Sequence, residues 1–378
     1  MARKPNPFKP TAGSDPPLLV GRGPLIDEFG ESIEDGPGAP GRITIFTGPR
    51  GVGKTVMLNA VAERAQTDFQ WQVIHETATP GLLQRLTART TQLTPSARQG
   101  RSVTGVTLGG LGIELSPAPP TPELDLREAL NVLLDDLESR ETGLLVTIDE
   151  VHAGAKNELR QFAAVIQHLV REQREIAVAM AGIPSGVNYL LNDEVTTFLR
   201  RAEKHVLTDV ALADVSEALA STIRDNGREI TPDALAAATD ATGGYPFMIQ
   251  LVGYHVWRKA VDEVIDIDAA RAGIDAARVR LGSLVHSTAM DDLSDVDRTF
   301  LLVMAQDSGP SRIEDIAVRM AKSSSYVSVY RNRLIDAGMI VATSRGCVDY
   351  AIPFLREYLR EHGARYAMGP NVDVGSDG

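Results

Sequence analysis

The chain has 378 residues, of which 43% are hydrophobic and 23% charged, and its formal net charge is −12. This length exceeds one typical domain, and the acidic balance argues against a protein that coats nucleic acid over its whole surface, although it allows one local basic patch. A single cysteine, Cys347, excludes an internal disulfide framework and cysteine-based zinc sites, and no apolar run is long enough for a membrane span or a secretory signal, so we expect a cytoplasmic protein.

The first elements in chain order lead to a glycine-rich loop. Residues 1–17 are rich in proline and predict a flexible arm, and a helix is expected at 25–33. A β-branched stretch at 42–47 predicts a buried strand, and residues 56–64 predict a helix. Between them lies G-P-R-G-V-G-K-T at 48–55, which fits the phosphate-loop pattern G-x-x-x-x-G-K-[ST] in its strand–loop–helix context.

Phosphate binding requires this order of elements. Glycines let backbone N–H groups curl around phosphate oxygens, and the start of the following helix adds a partial positive charge. Lys54 is expected to reach the β- and γ-phosphates, and Thr55 to ligate Mg²⁺. A glycine-rich turn without a ligand is the alternative. The residues predicted to surround the phosphates are Gly48, Pro49, Arg50, Gly51, Val52, Gly53, Lys54, Thr55 and Val56.

The next stretch contains an insertion. A strand is expected at 71–75, and helices are expected at 82–92 and 126–140. Between the two helices, residues 94–122 are rich in Gly, Ser, Thr and Pro and alternate around Gly109-Gly110, which predicts a β-hairpin.

A second buried strand then supplies two acids. Residues 144–150 read L-L-V-T-I-D-E, an apolar run that ends in Asp149 and Glu150. We expect Asp149 to bind Mg²⁺ and Glu150 to act as the general base for an attacking water. A strand that ends in a solvated acidic turn is the alternative, and the phosphate loop makes it the weaker one.

The elements after this strand indicate two further units. A helix at 157–175 and a strand at 176–181 continue a strand–helix alternation to about residue 207, which predicts an α/β unit with a mainly parallel sheet. Only helices are expected in the following unit. They lie at 213–225, after a Thr231-Pro232 cap, at 247–261 and at 266–279, with G-G-Y-P at 243–246 as a break.

The last unit has helix-turn-helix spacing and a two-stranded wing. Helices are expected at 313–320 and 326–336, and a turn at 343–347 carries an arginine at its tip. Winged helices also serve as packing or protein-binding modules, so both roles stay open. A tail at 368–378 is predicted to be disordered. The candidate DNA contacts are Ser328, Tyr330, Arg331, Arg333 and Arg345.

In this order the elements resemble the AAA+ ATPases of the origin-recognition-like and archaeal-ATPase (STAND-related) groups. The motifs G-P-R-G-V-G-K-T and L-L-V-T-I-D-E carry the resemblance, and L-V-G-R, G-G-Y-P and Y-R-N-R-L-I-D-A-G-M-I support it. The resemblance implies an α/β fold: a P-loop NTPase core with a parallel sheet at 18–207, an all-α lid at 208–290 and a C-terminal winged-helix domain at 291–367.

The resemblance also implies further site residues. Contacts to ATP are expected from the segment before the core and from the lid, and an arginine finger is expected from Arg201 or Arg200, which implies self-association if it acts in trans. The polar sensor position past the fourth core strand holds only Ser185, which arrives late, and the lid lacks an obvious sensor arginine; both departures put rapid hydrolysis in doubt. The implied nucleotide contacts are Val20, Gly21, Arg22, Gly244, Tyr245 and Pro246.

These residues predict a protein that binds and hydrolyses ATP with Mg²⁺ and acts as a nucleotide-dependent switch. Its partner is expected to be duplex DNA, reached through the winged helix, and no membrane is involved. The alternative is a signalling ATPase that gates a protein–protein interface without binding DNA. A third reading is a nucleotide-binding protein that barely hydrolyses.

Overall fold

The computed structural model describes residues 4–11, 19–94, 125–152, 154–192, 197–291 and 293–366. The hairpin predicted within 94–122 and the tail predicted at 368–378 lie outside the described residues.

The N-terminal core is built on a parallel sheet of five strands in the order β2-β3-β4-β1-β5. Because every neighbouring pair is parallel, all the strands end at the same edge of the sheet. The phosphate loop after β1 and the acids after β3 therefore lie at one edge, on either side of β4. The strands are β1 (Ile43–Thr47), β2 (Gln72–Thr77), β3 (Leu144–Asp149), β4 (Ile176–Gly182) and β5 (Glu203–Val206).

Helices cover both faces of this sheet. Strands β3 and β4 are almost entirely buried, as their apolar sequences require when both faces are covered. Leucines of α4 and α5 form the core on one face, while α1 and α2 form a second core on the other. The helices are α1 (Gly23–Glu34), α2 (Lys54–Phe69), α3 (Leu82–Leu93), α4 (Leu126–Glu138), α5 (Lys156–Arg171) and α6 (Pro184–Asn192).

The second unit is a helical lid with its own apolar core. A short parallel pair, β6 (Glu229–Ile230) and β7 (Val264–Ile265), ties its two halves together. Gly243 ends one helix with a φ of +57°, and Pro246 begins the next at a position where its missing N–H costs nothing. The lid helices are α7 (Leu212–Asp225), α8 (Pro232–Thr242), α9 (Pro246–Lys259) and α10 (Ile267–Leu281).

The N-terminal segment 4–11 lies against this lid, which differs from the flexible arm predicted from the sequence. Phe8 is only 2% exposed and belongs to the lid core. The Asn6 side chain donates a hydrogen bond to the Tyr254 carbonyl oxygen at 2.9 Å. Proline-rich composition indicated a flexible arm but gave no sign of the pocket in the lid that receives the Phe8 ring.

The C-terminal unit has the element order of a winged helix. A π-helical turn at Gly282–His286 and the short helix α11 (Ser287–Asp291) lead into it. Its three strands form an antiparallel sheet in the order β8-β10-β9. The elements are α12 (Asp295–Met304), β8 (Ser311–Arg312), α13 (Ile313–Arg319), α14 (Ser324–Asp336), β9 (Ile340–Ser344), β10 (Cys347–Tyr350) and α15 (Leu355–His362). No helix in the described parts of the chain is long and apolar enough to cross a membrane.

Candidate nucleotide-binding site

The loop between β1 and α2 is shaped by three glycines with positive φ, two of which have no room for a side chain. Gly48, Gly51 and Gly53 have φ values of +155°, +77° and +92°. A Cβ on Gly48 would overlap the carbonyl oxygen of Leu207, and one on Gly51 would lie 2.6 Å from Cζ of Tyr245. A Cβ on Gly53 would meet nothing within 4 Å, so this glycine borders open space. Consecutive N–H groups in such a conformation form an anion-binding concavity.

Lys54 and Thr55 begin α2 directly after this loop. Lys54 is 8% exposed, and its ammonium donates to the carbonyl oxygens of Gly48, at 3.0 Å, and Pro49, at 2.7 Å. Burial lowers the pKa of Lys54, while the carboxylates of Glu150 and Asp149 oppose that shift. The lysine is therefore a buried cation held beside the loop, where it can exchange carbonyl partners for phosphate oxygens.

The end of β3 faces the start of α2. The Thr55 hydroxyl donates to Oδ2 of Asp149 at 2.6 Å, although the two residues are far apart in sequence. A hydroxyl and a carboxylate that converge in this way are the oxygen donors that Mg²⁺ takes in P-loop NTPases. Thr55 and Asp149 therefore fit the metal and are the residues that would hold it.

Glu150 follows Asp149 in a left-handed backbone conformation, with φ of +55°. Its N–H donates to Oδ1 of Asp149 at 2.7 Å, and its side chain is 47% exposed. Nε2 of His152 lies 3.1 Å from Oε2 of Glu150. Burial lowers the pKa of His152, which favours the neutral imidazole. His152 was not predicted; its place directly after D-E-V was the only signal in the sequence.

A cavity of about 750 Å³ lies between the core and the lid. Leu19, Met57, Ile183 and Val210 add an apolar lining that was not predicted. Of the predicted residues, Gly21, Gly48, Pro49, Asp149 and Gly244 do not line the cavity themselves. The predicted residues that do line it are Val20, Arg22, Arg50, Gly51, Val52, Gly53, Lys54, Thr55, Val56, Glu150, Tyr245 and Pro246.

The G-G-Y-P motif joins the lid to the phosphate loop. The buried hydroxyl of Tyr245 donates to the carbonyl oxygen of Arg50 at 3.1 Å. Burial raises the pKa of this hydroxyl, which keeps it a neutral donor. The Val210 N–H donates to the Gly244 carbonyl oxygen at 2.8 Å, and a Cβ on Gly244 would overlap the Val210 carbonyl. The lid therefore touches the loop that would hold the phosphates.

The segment before the core reaches the same region. The Arg22 guanidinium donates to the carbonyl oxygen of Thr208 in the connection to the lid. Burial raises the pKa of Asp209 and lowers that of Arg22, and the attraction between the two charges opposes both shifts. Gly21 supports this arrangement with a φ of +66°.

The two candidate finger arginines differ in their surroundings. Nε of Arg200 donates to the carbonyl oxygen of Leu191 at 2.8 Å. Arg201 is exposed, and its side chain makes no hydrogen bond or ion pair within the described part of the chain. Neither residue lines the cavity.

The late sensor candidate Ser185 points elsewhere. Its hydroxyl donates to the carbonyl oxygen of Asp336, at the end of α14, at 2.9 Å. Ile183 lines the cavity and also packs on the C-terminal unit, 3.5 Å from where a Cβ on Gly338 would lie. The chain after β4 thus joins the nucleotide cavity to the C-terminal unit.

The candidate DNA contacts fall into two groups. Arg333 pairs with Asp297 at 3.1 Å, and Asp297 is fully buried, so this arginine compensates an internal charge. Ser328 bonds the carbonyl oxygen of Ser324, and Tyr330 lies against another tyrosine ring. The other two arginines pair with no acid among the described residues: Arg331 is half-buried and donates to Oδ1 of its neighbour Asn332, and Arg345 is exposed at the turn of the wing.

Two family models match the chain. Residues 18–181 match the AAA ATPase domain, and residues 283–359 match a Domain of unknown function (DUF8462). No curated protein matches the chain in sequence. The first of these matches confirms the predicted AAA+ core.

Solved structures share the fold over nearly the whole length of the chain. The Walker-type ATPase PABY2304 of Pyrococcus abyssi is 18% identical with a TM-score of 0.63, and the match covers 90% of this chain and 96% of that one. The Aeropyrum pernix ORC2 protein, in ADPNP-ADP complexes, is 15% identical with a TM-score of 0.59, covering 95% and 98%. Cdc6p from Pyrobaculum aerophilum is 15% identical with a TM-score of 0.51, covering 94% and 96%. These likenesses confirm the predicted fold class.

Proposed function

Because residues 18–181 belong to the AAA ATPase domain family, we propose that the chain is an Mg²⁺-dependent ATPase whose nucleotide is enclosed between core and lid. One observation carries the proposal: the Thr55 hydroxyl and the Asp149 carboxylate meet at 2.6 Å at the mouth of the glycine loop. The next residue, Glu150, lines the cavity, and its side chain is exposed enough to meet a water molecule.

Each residue has a separate role in this proposal. Lys54 exchanges its two loop carbonyls for the β- and γ-phosphates, and the loop N–H groups hold the remaining phosphate oxygens. Glu150 accepts a proton from the attacking water. Thr55 and Asp149 would hold the Mg²⁺ ion, which would supply positive charge to neutralise the phosphates. Tyr245 belongs to the lid, and its hydroxyl donates a hydrogen bond to the phosphate loop, so it couples the loop to the lid.

The finger arginine in this proposal is Arg201, contributed by a neighbouring copy of the chain. Arg201 is exposed and lies outside its own cavity, whereas Arg200 is tied to Leu191. Hydrolysis is then expected to depend on protein concentration, since the complete site needs two copies.

The test compares Lys54→Ala and Glu150→Gln with the wild type. Lys54→Ala should abolish ATP binding in an equilibrium assay. Glu150→Gln should bind ATP normally while turnover falls by about 10²-fold or more. Glu63→Gln, an exposed change on α2 outside the cavity, is the matched control and should leave both unchanged. Turnover at the wild-type rate in Glu150→Gln would overturn the assignment of the base.

We further propose that the C-terminal unit contacts duplex DNA when ATP is bound. The helix-turn-helix spacing supports this role, as do the half-buried Arg331 and the exposed Arg345. The test measures binding of a fluorescent duplex to Glu150→Gln with ATP, with ADP and without nucleotide, across a salt series. Binding that weakens with salt and is lost in the double variant Arg331→Glu/Arg345→Glu supports the proposal.

A protein partner is the second candidate for this unit. Exposed apolar side chains favour it: Val318 is 79% exposed, Val329 64% and Val341 47%. Apolar side chains of this kind suit a protein surface better than a phosphate backbone. Absence of duplex binding in every nucleotide state at low salt would favour this candidate.

A further inference from the structure

We propose that residues 4–11 are a built part of the nucleotide site, with Phe8 anchored in the lid so that Lys9 meets the nucleoside triphosphate as a binding residue. This inference rests on the proposed function, because it assigns a further ligand contact to the same cavity. Neither the phosphate-loop motif nor the match at 18–181 includes this segment.

The anchor is a phenylalanine in a slot formed by a glycine. Phe8 is 2% exposed, and a Cβ added to Gly253 on α9 would lie 2.7 Å from Cγ of the Phe8 ring. Any residue larger than glycine at position 253 would therefore occupy the space of the ring. A glycine in the interior of a helix destabilises that helix by about 0.5–1 kcal/mol relative to alanine. At position 253 the glycine therefore gives up helix stability and makes room for the Phe8 ring.

Polar contacts fix the backbone on either side of the ring. The Phe8 N–H donates to Oδ1 of Asn6 at 3.1 Å, while the Asn6 amide donates to the Tyr254 carbonyl oxygen at 2.9 Å. Lys4 pairs with Glu263 at 3.3 Å at the outer end of the segment. The segment is thus held in one conformation at several points.

The anchored segment presents its next residues to the nucleotide. The Lys9 N–H donates to Oε1 of Gln250 at 3.2 Å, and both residues line the cavity together with Lys54. The Lys9 ammonium is exposed and forms no ion pair among the described residues. A cation without a counter-ion in the wall of a cavity that already holds Lys54 suits a polyanionic ligand.

Because the segment is anchored on the lid, a contact between Lys9 and the nucleotide also affects how the lid closes on the core. Phe8 and Gly253 move with the lid, whereas Lys54 belongs to the core. A triphosphate that touches both lysines therefore holds the two units together. An arm that only stabilised the lid would leave nucleotide affinity unchanged when Lys9 is altered, and this difference can be measured.

The first experiment measures the Kd for a fluorescent ATP analogue in Lys9→Ala, with Lys259→Ala at the end of α9 as the matched control. Lys9→Ala should weaken binding about three- to tenfold without a change in Tm, since it removes one charge contact at the surface of the cavity. Lys259→Ala should leave the Kd unchanged because Lys259 is exposed on the lid and lies outside the cavity. An unchanged Kd in Lys9→Ala would overturn the proposal.

The second experiment detaches residues 4–11 from the lid without changing any residue of the segment. Gly253→Ala places a methyl group in the Phe8 slot, and alanine strengthens the helix itself. We expect the Kd to rise at least as much as in Lys9→Ala, and residues 4–11 to become sensitive to protease. Normal binding by a released segment would refute the role of the anchor.

Failure of the proposed function would look different. Wild type and Lys54→Ala are measured first; if neither binds the analogue, the ATPase proposal falls, and the arm is not at issue. If wild type binds and Lys54→Ala does not, the variants of residues 4–11 decide the inference alone.

Discussion

The contact between lid and phosphate loop predicts different results for two similar glycine substitutions. Gly51→Ala and Gly53→Ala each add one methyl group at a left-handed φ, +77° and +92° respectively. The backbone strain is therefore alike, about 1–2 kcal/mol in each case. The surroundings differ: the new Cβ meets Cζ of Tyr245 at 2.6 Å in the first variant and open space in the second.

The extra cost of Gly51→Ala follows from this overlap. Carbon atoms prefer separations of about 3.5–4.0 Å, so loop and lid must part by roughly 1 Å. Overpacking of this kind costs about 1–3 kcal/mol, and the hydrogen bond from Tyr245 to Arg50 is lost with it.

Thermal melts of the nucleotide-free protein provide the assay. Gly51→Ala should melt several degrees below Gly53→Ala, because about 1 kcal/mol shifts Tm by about 2–4 °C in a unit of this size. Tyr245→Phe should relieve only part of the difference, since the ring carbon remains. Equal melting temperatures for the two glycine variants would refute the claim that the lid rests on the loop through Tyr245.

Three further predictions concern ionisable side chains. Burial lowers the pKa of His286 to about 4, below the ordinary value of about 6.5, so unfolding takes up a proton in acid. The free energy of unfolding should therefore fall as the pH drops from about 6.5 towards 4, by roughly 2 kcal/mol at pH 5. His286→Gln should flatten this pH dependence in thermal melts. An unchanged slope in that variant would contradict the prediction. His152→Ala should release Glu150, which lies 3.1 Å away, and lower kcat severalfold with little change in KM; an unaltered kcat would exclude a positioning role. Arg333→Ala should destabilise the C-terminal unit by about 1–3 kcal/mol, because it removes the arginine paired with the buried Asp297 and leaves that carboxylate with its hydrogen bonds from Ser294, and an unchanged Tm would show that the pair is dispensable.

Features carried by neighbouring residues could be predicted from the sequence. The strand–loop–helix around Gly48 to Thr55 and the apolar strand that ends at Asp149 are local patterns, and the AAA+ core they indicated is confirmed. The parallel sheet followed from the alternation of strands and helices. Strand β5 was missed because Glu203–Val206 reads E-K-H-V, lies at the sheet edge and carries no apolar run.

Features that join distant parts of the chain could not be predicted in this way. Tyr245 and Arg50 are 195 residues apart, and Ser185 and Asp336 are 151 residues apart. The sequence placed Ser185 as a weak sensor candidate, but its hydroxyl is used by the end of α14. Such contacts are visible only in the packed structure, because the sequence around each of these residues does not identify its partner.

The cavity brings together every part of the chain that the proposed switch would have to coordinate. Lys54 comes from the core, Pro246 from the lid, Lys9 from the N-terminal segment and Ala289 from the short helix that leads into the C-terminal unit. The C-terminal unit also rests on Ile183, which itself lines the cavity. A nucleotide that filled this space would contact all four parts at once, so its affinity would depend on how they are arranged. By linkage, a partner that binds one arrangement of the C-terminal unit must change the affinity for ATP by the same factor as ATP changes the affinity for that partner.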